Sequence, residues 1–437
     1  MKKTGSLLEV AFAALLIVGL YSSSGEAFHG GGTGECQGCH TMHDLTGSQQ
    51  QTVRPTGSQK NPSLLKGPDP SSTCLACHMA PGGTSQPQGH YVSTSEADMP
   101  TGRPPVQLTP GGDFGWLKKN FSWGPGATRA GDSPGERHGH SIIAASFNYV
   151  GDTRNTMAPQ GTYPADQLSC ISCHDPHGRY RRLADGTITT GGASIFASGS
   201  YSQSPDPDAT GAVGSYRLLA GKGYQPKYLG GGVAFTADPP AAITPASFNR
   251  EESSADTRVA YGSGMSEWCE NCHATSHQDG SVATRHPSGN SKRLTRNVIN
   301  HYNSYIASGK TGGNASSSYT SMVPFEMGTK DYAALKRTAN NNGSDRAGPD
   351  LGKGSPNVMC LSCHRAHASG WDSMTRWNMK SEFLVYKGIY PGIDNSAPPE
   401  LAQGRTSSDI QKTFYDRPST SYAYYQRSLC NKCHVKD

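Results

Sequence analysis

The residues whose spacing can do chemistry are the twelve cysteines, and every one falls in the same unit: Cys-x-x-Cys followed at once by histidine. The units are Cys36/Cys39/His40, Cys74/Cys77/His78, Cys170/Cys173/His174, Cys269/Cys272/His273, Cys360/Cys363/His364 and Cys430/Cys433/His434. Two thiols at this spacing reach the two vinyl groups on one porphyrin edge, and the next residue turns its imidazole onto the iron. Disulfides, structural zinc and thioredoxin-like redox pairs also use paired cysteines, but none needs histidine at that position. The chain is therefore expected to carry six covalently attached haem c groups, with one proximal histidine each. No cysteine is left over.

The second axial ligands must come from the other ten histidines: His29, His43, His90, His138, His140, His177, His277, His286, His301 and His367. Six irons with two imidazoles each need six of them, and Met42 and Met79, beside haem histidines, are not needed. His43, His177 and His367 each stand three residues beyond a proximal histidine, in the first, third and fifth units. The thioethers hold that segment against one face of its own haem, so such a histidine serves an adjacent haem more readily than its own. If His177 serves the first haem and His367 the third, His43 has no earlier odd-numbered haem in its own chain. Its target would then be the fifth haem of another copy, a head-to-tail bond that builds a filament. Other pairings stay open from the residues alone.

The elements that must position these groups are sparse. Hydrophobic residues make up 34% of the 437, while 53 Gly and 29 Pro supply loop formers well above the usual share. The first cysteines of successive units are unevenly spaced, so no fixed-period repeat exists. The tracts 189–204 and 237–247 show neither helical nor strand periodicity. Short helices are expected at 291–308, 330–338, 409–415 and 421–433, and small hairpins in the long gaps. The expected fold is a multihaem cytochrome c, mostly irregular coil with short helices and few short strands, with the haem stack as its core.

Lys2 and Lys3 precede an apolar run over 10–20, and small residues lead up to Phe28, a pattern that predicts a secretory signal over 1–27. Residues 28–437 are then expected to form a single hexahaem domain, with no later stretch long enough to span a membrane. The formal charge of +5 misleads. Twelve propionates and six ferric centres bring it to roughly −1, or roughly −7 when reduced. Lys and Arg are scattered, so nucleic-acid binding is not expected.

Five segments carry a more specific signal: GGDFGW (111–116), QLSCISCHDPHGRYRR (167–182), VAYGSGMSEWCENCH (259–273), CLSCHRAHASGWDSMTR (360–376) and YQRSLCNKCHVKD (425–437). Through them the whole chain resembles the hexahaem outer-surface c-type cytochromes of metal-reducing bacteria, which polymerise into electron-conducting filaments. The resemblance implies bis-histidine coordination of all six irons and a polymer in which His43 serves the neighbouring subunit. It carries the distal role onto His29, His43, His90, His140, His177, His277, His286 and His367, with His90 and His277 the weakest. It does not carry it onto His138 or His301, which are expected at the surface.

The resemblance also implies extracellular electron transfer without catalysis. Its donors would be upstream periplasmic or outer-membrane cytochromes, its acceptors extracellular metal oxides or similar, and its location the cell outer surface or an extracellular filament. Two rivals are a monomeric periplasmic electron shuttle and a multihaem reductase. The reductase needs an iron with an open position, whereas all six units here keep histidine.

Overall fold

Long irregular segments stitched by short elements follow from the spread of glycine and proline through the chain. The computed structural model describes residues 36–41, 64–100, 102–124, 130–192, 194–197, 199–226, 233–245, 259–274, 287–315, 323–340 and 348–434. The expected signal at 1–27 and the candidate ligands His29, His43, His277 and His286 lie outside them, as does Met42. Among the described residues no helix is long and apolar enough to cross a membrane.

Each helix is set by local chemistry. Pro70–His78 starts with proline in its first turn, and the Asp69 carboxylate accepts from Ser72 N at 2.7 Å. Arg296–Ser304 is capped by Thr295 and buries Ile299 and Tyr302, three positions apart on one face. Tyr332–Asn340 begins where Asp331 accepts from Ala334 N. Ser407–Thr413 carries a reciprocal Thr406/Asp409 cap. The last two fall within two residues of the helices expected at 330–338 and 409–415, while Arg296–Ser304 is shorter than the expected 291–308 by five residues at its start and four at its end.

The helix expected at 421–433 does not form. Its residues Gln426–Arg427 (β10) instead pair antiparallel with Phe383–Val385 (β9), and Leu429–Lys432 makes a separate tight turn. The buried Gln426 side chain bonds Tyr305 Oη at 3.1 Å and Ser308 Oγ at 3.2 Å, partners that an isolated helix would forgo. The aperiodic tracts 189–204 and 237–247 are corrected too, because each contains a strand.

Strands Phe121–Trp123 (β1) and Gly131–Ser133 (β2) form one hairpin. The long gap after the third unit holds a four-stranded sheet. Its members are Arg181–Arg182 (β3), Ile188–Thr189 (β4), Ser194–Ala197 (β5) and Gly211–Gly214 (β6), in the order β4-β3-β6-β5 with β5 parallel to β6. Ala241–Ile243 (β7) and Ala260–Ser263 (β8) pair antiparallel, with the helix Tyr332–Asn340 packed on them through Tyr332, Leu335 and Ala339. Strands β6, β7 and β8 are buried throughout, so their small residues show no alternation.

Aromatic clusters pack beside the haem units rather than in a separate centre. Trp371, Trp377, Phe325, Tyr390 and Phe414 gather against Cys363, Cys430 and Cys433. Tyr216, Tyr261, Met265 and Leu361 gather against Cys173. The protein core therefore borders an internal space instead of filling it.

Candidate haem centres

That space is a continuous cavity of about 1170 Å³, lined by cysteines and the histidine of the second through sixth units. Neighbouring units touch along it. The Cys74 and Cys170 thiols are hydrogen-bonded, as are those of Cys269 and Cys360. Cys173 lies near Cys272, and Cys363 near Cys430. The six units thus form a file in sequence order, with Cys39 beside Cys74 at its start.

Two of these junctions are built alike. Cys170 N donates to Ser71 Oγ at 3.1 Å, and Cys360 N donates to Ser266 Oγ at 3.1 Å. Ser71 and Ser266 each stand three residues before the first cysteine of an even-numbered unit. On the odd-numbered side, Ser172 and Ser362 accept from the backbone N of Ser169 and Met359 at 3.0 and 3.1 Å, closing the turn that carries each cysteine pair. The matching offsets of these serines are a signal in the sequence that the cysteine and histidine spacing alone does not reveal.

The histidines face one another across the units. Metal–nitrogen bonds of about 2.0–2.1 Å to two trans imidazoles put ring centres roughly 6.3 Å apart. His40 and His177 stand 6.3 Å apart with rings 13° from parallel. His174 and His367 stand 6.4 Å apart, and His140 and His273 6.1 Å. Each pair joins a proximal histidine to an imidazole from elsewhere in the chain. The spacing is that of a metal held between two rings.

Ring orientation agrees with this. Nδ1 of His174 donates to Arg217 O at 2.8 Å, that of His273 to Pro159 O at 2.8 Å, and that of His364 to Ser373 O at 2.8 Å. His140 Nδ1 donates to Ala366 O at 2.6 Å. A proton fixed on Nδ1 leaves the Nε2 lone pair for a metal. Burial, with His273 beside it, pushes His140 down to about 4; burial, with His174 beside it, pushes His367 down to about 3. Both are neutral, ligand-competent imidazoles at physiological pH. This donor set fits haem c.

Glycine shapes one of these positions. His367 stacks on Phe114 at 4.6 Å, and a Cβ at Gly111 would lie 2.9 Å from His367 Nδ1. His367 N donates to Gly111 O at 2.7 Å, so this glycine of the GGDFGW segment grips the imidazole's own backbone. Beside it, Gly112 has φ +92°, and its absent Cβ makes room for Ala368 O.

The remaining described histidines differ. His90 meets His78 edge-on at 5.2 Å, with Nε2 donating to Cys77 O at 3.1 Å, unlike the three facing pairs. His364 lines the cavity, with His140 near enough to feel its charge. His138, expected at the surface, is instead fully buried: Nδ1 donates to Trp116 O at 3.0 Å, and Nε2 lies 2.8 Å from Ser133 Oγ. His301, also expected at the surface, is half-buried on its helix and donates from Nε2 to Asn431 O at 3.0 Å within the sixth unit. Met79 packs with Leu75 and Phe114.

No family model matches the chain. It is 48% identical over 433 residues to the C-type cytochrome OmcS of Geobacter sulfurreducens, covering 98% of each protein. Two solved structures are similar to it. The cryo-EM structure of OmcS nanowires from Geobacter sulfurreducens has a TM-score of 0.82 at 48% identity, over 92% of this chain and 98% of that one. The outer membrane cytochrome S filament from the same organism has a TM-score of 0.83 at 48% identity, over 94% of this chain and all of that one.

Proposed function

The chain belongs to the family of OmcS-like c-type cytochromes, and from that membership we propose how its residues serve extracellular electron transfer. Six haem c groups form its conduit, and copies of the chain polymerise into a filament. The observation that carries this reading is the set of three facing imidazole pairs along one file of attachment units. Haem iron, when bound, supplies reversible one-electron chemistry. The protein's part is to fix Nε2 of His140, His174, His273 and His364 through their Nδ1 bonds, and to wall the file with aromatic side chains that exclude water.

The proposed ligand pairs are His40 with His177, His174 with His367, and His273 with His140. His140 precedes the third unit and serves the fourth haem. By the same displacement His29, ahead of the first unit, serves the second haem, and His286, ahead of the fifth, serves the sixth. His364 takes its partner from His43 of a neighbouring copy, a reading supported by the similarity to filament-forming OmcS. His90 and His277 are then not ligands. Residues 1–27 direct export, so donors are upstream envelope cytochromes and acceptors lie outside the cell.

The test is electron microscopy of cell-surface preparations, wild type beside His43→Ala. Wild type is expected to give filaments with a subunit repeat; His43→Ala is expected to give soluble chains with six attached haems, one lacking its sixth ligand. Normal filaments with six low-spin haems from His43→Ala overturn the junction ligand. Monomers alone from wild type favour the periplasmic shuttle.

A further inference from the structure

One cation beside the third unit has no counter-charge among the described residues. Arg217 lines the cavity, and its Nε and Nη2 are buried without a hydrogen-bond partner. Around it lie Tyr216, Tyr201 and Tyr261, of which Tyr216 is hydrogen-bonded to the guanidinium and none carries a carboxylate. Among the described residues no carboxylate reaches ion-pair distance of it. A buried guanidinium with unmet N–H groups is costly unless an anion satisfies it.

The backbone goes to some length to hold this residue in place. Arg217 and Leu218 both have left-handed φ, +48° and +54°, in a protein where most such positions are glycine. Strain of this kind persists where surrounding bonds over-determine it. Here Arg217 O accepts from His174 Nδ1 at 2.8 Å, and Leu218 O accepts from Asp175 N at 2.8 Å. The same residue that orients the third unit's proximal imidazole therefore presents its guanidinium to the cavity. Its charge also acts on His367, the ring opposite His174.

We propose that Arg217 binds a carboxylate of the haem attached at Cys170 and Cys173, one of its propionates, and through that pair holds the potential of this haem up. The proposal rests on the haem-loaded reading given above. A planar fork of donors suits a carboxylate better than a point charge does, and a fixed positive charge beside a haem favours its reduced form. A free inorganic anion is the other source of the same chemistry.

The test uses the full-length holoprotein, counting haems by pyridine haemochrome and following each haem's midpoint by potentiometric titration with electron paramagnetic resonance. In Arg217→Gln, six low-spin haems are expected, with one midpoint displaced negatively. The displacement is expected to lower that haem's reduced-to-oxidised ratio about tenfold at fixed potential, which is about 59 mV for one electron. Arg217→Lys is expected to move the same haem in the same direction by less. It also decides the matter should the Gln variant not accumulate. Unchanged midpoints in the variants that accumulate overturn the proposal. So does a wild-type midpoint that tracks chloride or phosphate concentration, which marks a free anion at Arg217. A wild type without six low-spin haems would instead sink the haem-conduit reading itself, an outcome distinguishable by the haem count before any variant is titrated.

Discussion

Replacing Gly111 by alanine places one methyl group against one distal imidazole, and the structure sets the size of the effect. The new Cβ would lie 2.9 Å from His367 Nδ1 and 3.1 Å from both Cε1 and Cγ. Comfortable contacts between such atoms are about 3.5–4.0 Å, so the ring has to retreat by about 0.5 Å. Phe114 stacks on the ring at 4.6 Å and limits its escape, while the Gly111 carbonyl ties the His367 backbone in place. Metal–ligand distances tolerate only about 0.2 Å, so the imidazole should leave the iron on the Cys170/Cys173 haem before the backbone yields. Gly111→Ala should keep six attached haems, with one of them high-spin when oxidised, and lose about 1–3 kcal/mol of stability from overpacking. Electron paramagnetic resonance of the ferric protein reads the first and a denaturant titration the second. Gly82→Ala is the control, since nothing lies within 4 Å of a Cβ there. Six low-spin haems in Gly111→Ala would refute the placement of His367 as a ligand.

His177→Ala should open the haem on Cys36 and Cys39 and leave its own unit's haem six-coordinate. Resonance Raman spin-state markers showing the loss at the third unit instead would reverse the proposed pairing. His138→Ala should retain six low-spin haems yet unfold at lower denaturant, by about 1–3 kcal/mol, because Trp116 O and Ser133 Oγ lose a buried partner. His138 also carries a pH signature, since burial, with Arg405 beside it, pushes it down to about 4 from an ordinary 6.5. The unfolded chain binds that proton first, so the stability His138 contributes is whole above pH 6.5. It drains away as pH falls toward 4, by about 3 kcal/mol, a loss that His138→Gln should lack in denaturation midpoints measured across that range.

The attachment sites were legible because their chemistry fixes residue type and spacing within five positions. Among the distal candidates, His177 and His367 could be singled out because they are tethered three residues past the histidine of an attachment unit, and their rings face His40 and His174. His138 and His140 mark the boundary of such reading. They share the run Arg137–His140, yet one is a buried structural bridge and the other faces His273. What separates them is the path of the extended chain between Trp116 O and Ala366 O, partners remote in sequence. The strand in 237–247 escaped because burial on both faces removes alternation, leaving only small residues to see; the one in 189–204 is exposed along most of its length and shows no alternation either. The helix expected at 421–433 failed for a tertiary reason, since β9 and Tyr305 claim the backbone and side chain of Gln426.

The long reach of the facing pairs bears on how the chain is assembled. On the proposed pairing, a chain that received its haems from the N-terminus onward would meet its distal ligands unevenly. His140 precedes His273, so the fourth iron meets an imidazole already in place. His177 and His367 come long after His40 and His174, so the first and third irons must wait. Each would lack its second imidazole during that interval and would be open to small ligands. A product truncated after the second unit would keep its first iron open for good and carry a ligand-binding reactivity that the finished chain lacks. Completion of the later units is thus also what quenches the earlier ones.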